Sequence, residues 1–163
     1  MKPIKLPARL SALIDYIDDG AAVADIGSDH GFLPVYLAQT DSVNRLIASD
    51  ISAASLDSAR RSAEKYNVTD SIKFLVTSGL EGITIADVDT IVIAGMGGET
   101  ILGILKDAPW TKHRNVKLIL QPQSKVELLC RFLYDNEYVI RETKIVHDRG
   151  KQYTVIYAVG ARD

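Results

Sequence analysis

Apolar residues along this chain follow two alternating rhythms. Leu10, Leu13, Ile14 and Ile17 recur at the three- and four-residue spacing of one helix face, which predicts a short helix ending near Asp19-Gly20. From Ala21 onward, short apolar runs alternate with helical patterns, and each pair reads as one βα unit. The first run, Ala21 to Ile26, leads to a helix from about Gly31, where Pro34 fits only in the first turn because it has no amide hydrogen to donate. The second, Arg45 to Asp50, precedes Ser52, whose hydroxyl suits it to cap a helix reaching roughly Tyr66. A third run, Ile72 to Val76, opens into Ser78-Gly79 and a stretch without clear periodicity.

The fourth run, Thr90 to Ala94, is continuously apolar, as a strand covered on both faces should be. It meets Gly95-Met96-Gly97-Gly98 and a helix carrying Ile101, Leu102 and Leu105 that stops before Pro109. The fifth, Val116 to Leu120, meets Gln121-Pro122. Ser124 with Glu127 then forms a capping-box signature ahead of a helix with Val126, Leu129, Cys130 and Leu133 on one face. Two further β-rich runs, Tyr138 to His147 and Gln152 to Val159, are joined by Asp148-Arg149-Gly150-Lys151, which is hairpin chemistry. The expected architecture is a single doubly wound α/β domain over residues 1–163, with a mostly parallel sheet of about seven strands whose last strand is antiparallel.

Composition narrows the class. A length of 163 residues matches about one domain, and 47% apolar residues supply a core without disulfides or a metal. Cys130 is the one cysteine, acids appear too early for a signal peptide, and no apolar run reaches the ~18–20 residues of a membrane span. A cytoplasmic protein is expected, with no membrane partner. His113 and His147 show no metal-ligand spacing with Cys130 or with each other, so no metal is expected. With 19 basic against 21 acidic residues the net charge is −2, so any polyanion must be met by a local patch. Lys2, Lys5 and Arg9, then Arg60, Arg61 and Lys65, and then Lys112, Arg114 and Lys117 are the candidate groups.

In an open α/β sheet the ligand binds beyond the carboxyl ends of the strands. The first such loop, Asp25-Ile26-Gly27-Ser28-Asp29-His30-Gly31, is not a dinucleotide fingerprint. Where that fingerprint needs a second glycine, so that bare backbone can approach a pyrophosphate, this chain has the carboxylate of Asp29. An acid there repels a diphosphate and suits a ligand that is cationic in this region, such as S-adenosylmethionine. Asp50 ends the second strand, where a carboxylate can accept both ribose hydroxyls or cap the next helix. Asp25 is read as a buried strand-end acid that organises the loop amides, and Gly95 to Gly98 as backbone that a flat group can approach. These residues alone leave the acceptor open: another RNA, a small molecule or a protein, or a nonenzymatic nucleotide-binding module.

Ala24-Asp25-Ile26-Gly27-Ser28-Asp29-His30 with Leu33-Pro34, then Ile93-Ala94-Gly95-Met96-Gly97-Gly98, then Leu118-Ile119-Leu120-Gln121-Pro122, resemble the bacterial tRNA (adenine-22, N1)-methyltransferase family. The resemblance covers nearly the whole chain. It implies a Rossmann-like class I methyltransferase fold that moves a methyl group from S-adenosylmethionine to an adenine N1 in tRNA. It assigns the donor to Asp25, Gly27, Ser28, Asp50, Ile51, Ser78, Gly79, Ala94 and Gly95, and the target to Met96, Gly97, Gln121 and Pro122, with Asp29 and His30 as the catalytic candidates. Ser78 stands where that family often has an acid. The chain ends at Asp163, after the last strand, where the family continues into a helical region, and a monomer is expected.

Overall fold

The structure is a computed structural model that describes residues 2–163. One sheet contains β1 (Ala22–Ile26), β2 (Arg45–Asp50), β3 (Lys73–Val76), β4 (Thr90–Met96), β5 (Lys117–Pro122), β6 (Tyr138–Asp148) and β7 (Lys151–Gly160), in the spatial order β3-β2-β1-β4-β5-β7-β6. β1 to β5 are mutually parallel, and β7 returns antiparallel between β5 and β6. Helices α1 (Ala8–Ile14), α2 (Phe32–Thr40), α3 (Ala53–Lys65), α4 (Gly98–Lys106) and α5 (Val126–Asp135) cover its faces. The stretch between β3 and β4 contains turns and no α-helix, as its lack of periodicity foretold. Among the described residues no helix is long and apolar enough to cross a membrane.

Side chains alternate across the central strands and so build two cores. Ala24, Ile26, Ile91, Ile93, Leu118 and Leu120 pack with Ile101 and Leu105 of α4 and Leu129 and Leu133 of α5. Val23, Val92 and Ile119, at the intervening positions, pack with Leu13 of α1 and Leu33, Val35 and Leu37 of α2 on the other face. Both faces are therefore covered, which explains why β4 and β5 read as unbroken apolar runs. β1 lies between β2 and β4, so the winding direction reverses there. The loops after β1 and β4 separate at this switch point and leave a crevice.

Two local readings change. Ser52 caps α3 as expected, accepting from the Ser55 amide at 3.2 Å. The Ser124–Glu127 capping box does not form: Lys125 is the N-cap of α5, at φ 55°, with no side-chain cap bond. The Ser124 carbonyl instead accepts from the Gly98 amide at 2.8 Å. That turn lies so close to α4 that a Cβ on Gly98 would meet Ser124 O at 2.7 Å, so a tertiary contact overrides the local cap signal. The β6–β7 strands also run further than expected, leaving only Arg149 (φ 51°) and Gly150 (φ 78°) as a two-residue turn with both φ positive, the type I′ form.

Candidate active site

The switch-point crevice is a cleft of about 550 Å³, a size typical of small-ligand sites. Its lining joins Asp25, Gly27, Ser28, Asp29 and His30 after β1, Asp50 after β2, Ala94, Gly95 and Met96 of β4, and Gln121 of β5.

Asp25 is 5% exposed, and burial, the largest cause, raises its carboxyl from 3.8 to about 7. The Ser28 hydroxyl donates to it at 3.1 Å and opposes the rise, while the nearby Asp50 charge adds to it. Asp25 does not organise the loop amides. Gly27 and Ser28 both donate their N–H to the Ser49 carbonyl at 2.9 Å, so the neighbouring strand's backbone holds the loop. Gly27 takes φ 76°, and a Cβ there would fall 2.5 Å from Met96 Cε, so the glycine leaves room for the Met96 side chain to reach across the cleft floor.

Asp50 serves two loops. Its Oδ1 accepts from the Ser52 amide at 2.9 Å and its Oδ2 from the Asp29 amide at 3.2 Å. An ionised carboxylate has about four lone-pair positions, so two of these bonds leave capacity for ligand hydroxyls. Helix cap and ligand acceptor are thus compatible roles for Asp50.

Asp29 adopts φ 51°, a left-handed conformation that Asp tolerates better than most residues. This is the backbone of a glycine loop bearing a carboxylate, and 70% of the side chain is exposed to the cleft mouth. His30 Nδ1 lies 3.0 Å from Ser58 Oγ, its Nε2 lies 3.8 Å from Asp29 Oδ2, and its ring stacks on Phe32 with centroids 5.5 Å apart. Opposite, a bulge at Gly95 (φ 80°) interrupts the pairing of β4 with β5 between Ala94 and Met96 and turns Met96 inward. Gln121 is almost fully buried and donates its Nε2 to the Arg9 carbonyl at 2.9 Å, tying the start of α1 to the end of β5.

Ile51, Ser78, Gly79, Gly97 and Pro122 do not line this cleft. Ile51 is exposed beside Asp50, Gly79 packs beneath Ile104, Gly97 is the N-cap of α4 and Pro122 is buried at the end of β5. Arg9, read in the sequence only as one of the candidate phosphate-binding cations, lines it, and so do Leu10, Phe32, Ser55, Gln123 and Tyr153, to which sequence reasoning gave no part in the site. Phe32 could have been found from its place between His30 and Leu33. Tyr153 carries no local signal. Of the three basic groups, Lys112, Arg114 and Lys117 lie at the opposite end of the sheet: Lys117 opens β5, four residues and so ~13 Å from Gln121. Among the described residues no group of three or more His, Cys, Asp or Glu side chains could hold a metal ion.

A mostly parallel sheet with an antiparallel β7, and a carboxylate-floored cleft at its switch point, define the class: residues 6–156 match the model of a methyltransferase domain. A tRNA (adenine(22)-N(1))-methyltransferase of Bacillus subtilis is 37% identical over 164 residues, covering 100% of this chain and 69% of that protein. The crystal structure of the B. subtilis M1A22 tRNA methyltransferase TrmK superimposes with a TM-score of 0.88 at 35% identity, over 97% of this chain and 68% of that one. M. capricolum TrmK, in complex with S-adenosyl-homocysteine, superimposes with a TM-score of 0.84 at 29% identity, over 96% of this chain and 70% of that one. The chain belongs to the bacterial tRNA (adenine-22, N1)-methyltransferase family.

Proposed function

We propose that this chain transfers the methyl group of S-adenosylmethionine to N1 of adenine 22 in tRNA. The observation that carries the reading is that the cleft residues Asp25, Gly27, Asp29, Asp50 and Gln121 are set around one crevice in a chain 37% identical to a B. subtilis enzyme named for this reaction. S-adenosylmethionine fits the donor set: two carboxylates floor the cleft, and the Asp29 carboxylate stands where a diphosphate would need bare backbone.

Asp25, Gly27, Ser28 and Asp50 form the donor side with Ala94 and Gly95, while Ile51, Ser78 and Gly79 follow the ends of β2 and β3 on that side. Met96 and Gln121 form the target side at the ends of β4 and β5, and Gly97 and Pro122 follow them in the chain outside the cleft lining. The donor supplies an electrophilic methyl carbon on a sulfonium. Adenine N1 has an in-plane lone pair and needs no prior deprotonation, so no residue must act as a strong base. Positive charge moves onto the purine during transfer, and Asp29 stabilises it. His30, held by Ser58 and stacked on Phe32, flanks Asp29 as the second catalytic candidate. Holding the reacting atoms in line contributes most of the rate. N1 is a pairing atom, so the nucleotide must be unpaired or flipped out first. The enzyme acts in the cytoplasm as a monomer without a metal.

Calorimetry with S-adenosylmethionine, and methylation of a tRNA transcript carrying adenine or guanine at position 22, test this reading. Donor binding and methylation only of the adenine transcript are expected; NADH binding with no response to the donor would overturn it. Asp50→Ala should weaken donor binding about 10- to 100-fold, the scale of ~1–3 kcal/mol for leaving buried polar groups unpaired. Unchanged donor affinity would remove Asp50 from the site.

A further inference from the structure

The net charge is −2, so a polyanionic substrate must be gripped by cations that the protein itself does not neutralise. Resting on the tRNA reading above, we propose that the tip of the β6–β7 hairpin, through Arg149 and Lys151, is the surface that holds the RNA backbone beside the cleft.

Position comes first. β7 pairs with β5 only where Leu120 faces Ile156 and further toward Gly160, so Thr154 lies level with Pro122, the last residue of β5. Lys151 lies three residues beyond that level, and at ~3.4 Å per residue the tip overhangs the strand end by about 10 Å. Tyr153, on this overhang, lines the cleft, so the overhang stands on its rim. The tip is also rigid. Asp148 Oδ2 accepts from both the Arg9 amide and the Arg9 guanidinium at 3.3 Å, and Gln121 secures the Arg9 carbonyl from below. Arg149 and Gly150 form the two-residue I′ turn, so the two cations are presented without a flexible loop.

Charge then discriminates among the candidate surfaces. Asp148 is already neutralised by Arg9, whereas Arg149 and Lys151 are exposed and make no ion pair among the described residues. On α3, Arg60 pairs with Asp57 at 3.1 Å and lies over the Phe74 ring, and Glu64 and Asp70 add acid nearby. At the far end of the sheet Arg114 pairs with Asp163 and Lys117 with Asp18. Arg61 and Lys65 of α3 make no ion pair among the described residues but stand among those acids, whereas the hairpin tip carries two unpaired cations, has its one acid already neutralised and borders the cleft. Half-buried Tyr153, on the cleft rim beside the cations, adds a ring edge against which an unstacked base can rest.

The test is the double variant R149N/K151Q in the full chain. Asn-Gly is the favoured I′ sequence, so this variant keeps the turn while removing both charges. Affinity for a tRNA transcript should fall 10-fold or more near 0.1 M salt. The slope of log affinity against log salt should become shallower by about 1.5–2, since each lost phosphate contact removes its counterion release. Donor affinity and kcat at saturating tRNA should be unchanged. The same measurements on R149E/K151E should show a larger fall, and R60Q/R61Q should show little change. Unchanged tRNA affinity and salt slope in both hairpin variants would overturn the proposal. A wild-type chain that binds donor but neither binds nor methylates tRNA at low salt would overturn the tRNA reading itself, and this proposal with it.

Discussion

Asp29→Ala should lower turnover about 100-fold or more while leaving donor affinity nearly unchanged, the signature of losing one preorganised charge that acts mainly in the transition state. The geometry separates the two effects. The Asp29 amide, not its side chain, is bound to Asp50, so the donor-side network survives truncation of the carboxylate. Asp29→Asn sharpens the test. Asn tolerates the same left-handed backbone at φ 51° and keeps a hydrogen-bond acceptor, but it carries no charge. If charge stabilisation is the role, Asn should be nearly as slow as Ala; if acceptance of a hydrogen bond suffices, Asn should recover most of the rate. Single-turnover kinetics with saturating donor and tRNA make the comparison, and equal rates in all three proteins would remove Asp29 from the mechanism.

Asp25→Asn should stabilise the unliganded protein above neutral pH and have little effect near pH 4. Burial, partly opposed by the Ser28 hydroxyl, raises Asp25 to about 7 in the folded state, against 3.8 for an ordinary aspartate. Between those values the folded protein retains a proton that the unfolded chain has lost, so stability falls as pH rises from about 4 to 7 and then levels off. At ~1.4 kcal/mol per pH unit the loss is of order 4 kcal/mol, or about 10 °C in Tm for a domain of this size. The Tm difference between variant and wild type, measured from pH 4 to 8 without donor, should grow with pH. A constant difference would show that Asp25 is already ionised in the folded protein. Because a cationic donor beside Asp25 favours its charged form, donor affinity of the wild type should rise with pH up to about 7, and that rise should vanish in Asp25→Asn. The site thus accepts the instability of a buried acid in return for a charge placed beside its ligand.

What was legible in the sequence is what neighbours along the chain decide. The alternation of runs such as Thr90 to Ala94 with helical patterns reports burial on one or both faces, and the order of those runs fixes a doubly wound sheet with few topologies to choose from. Ser52 as a cap, Arg149-Gly150 as a hairpin turn and Gly27 as a turn residue all follow from bonds or dihedrals within a few positions. Asp29 in the place of a phosphate-loop glycine was likewise readable, and so was its consequence for the ligand's charge. Tertiary structure alone decided the rest. Ser124 lost its capping role because its carbonyl was taken by Gly98, an amide 26 positions earlier in the sequence. Arg9 and Tyr153 entered the cleft because α1 and the hairpin tip are tied to each other through Asp148, residues 139 positions apart. The rise at Asp25 required burial, and preferring Arg149 and Lys151 to the three basic groups visible in the sequence required knowing which end of each strand faces the cleft and which cations are already paired. Periodicity and turn chemistry are local, whereas burial, charge pairing and the meeting of distant segments exist only once the chain is packed.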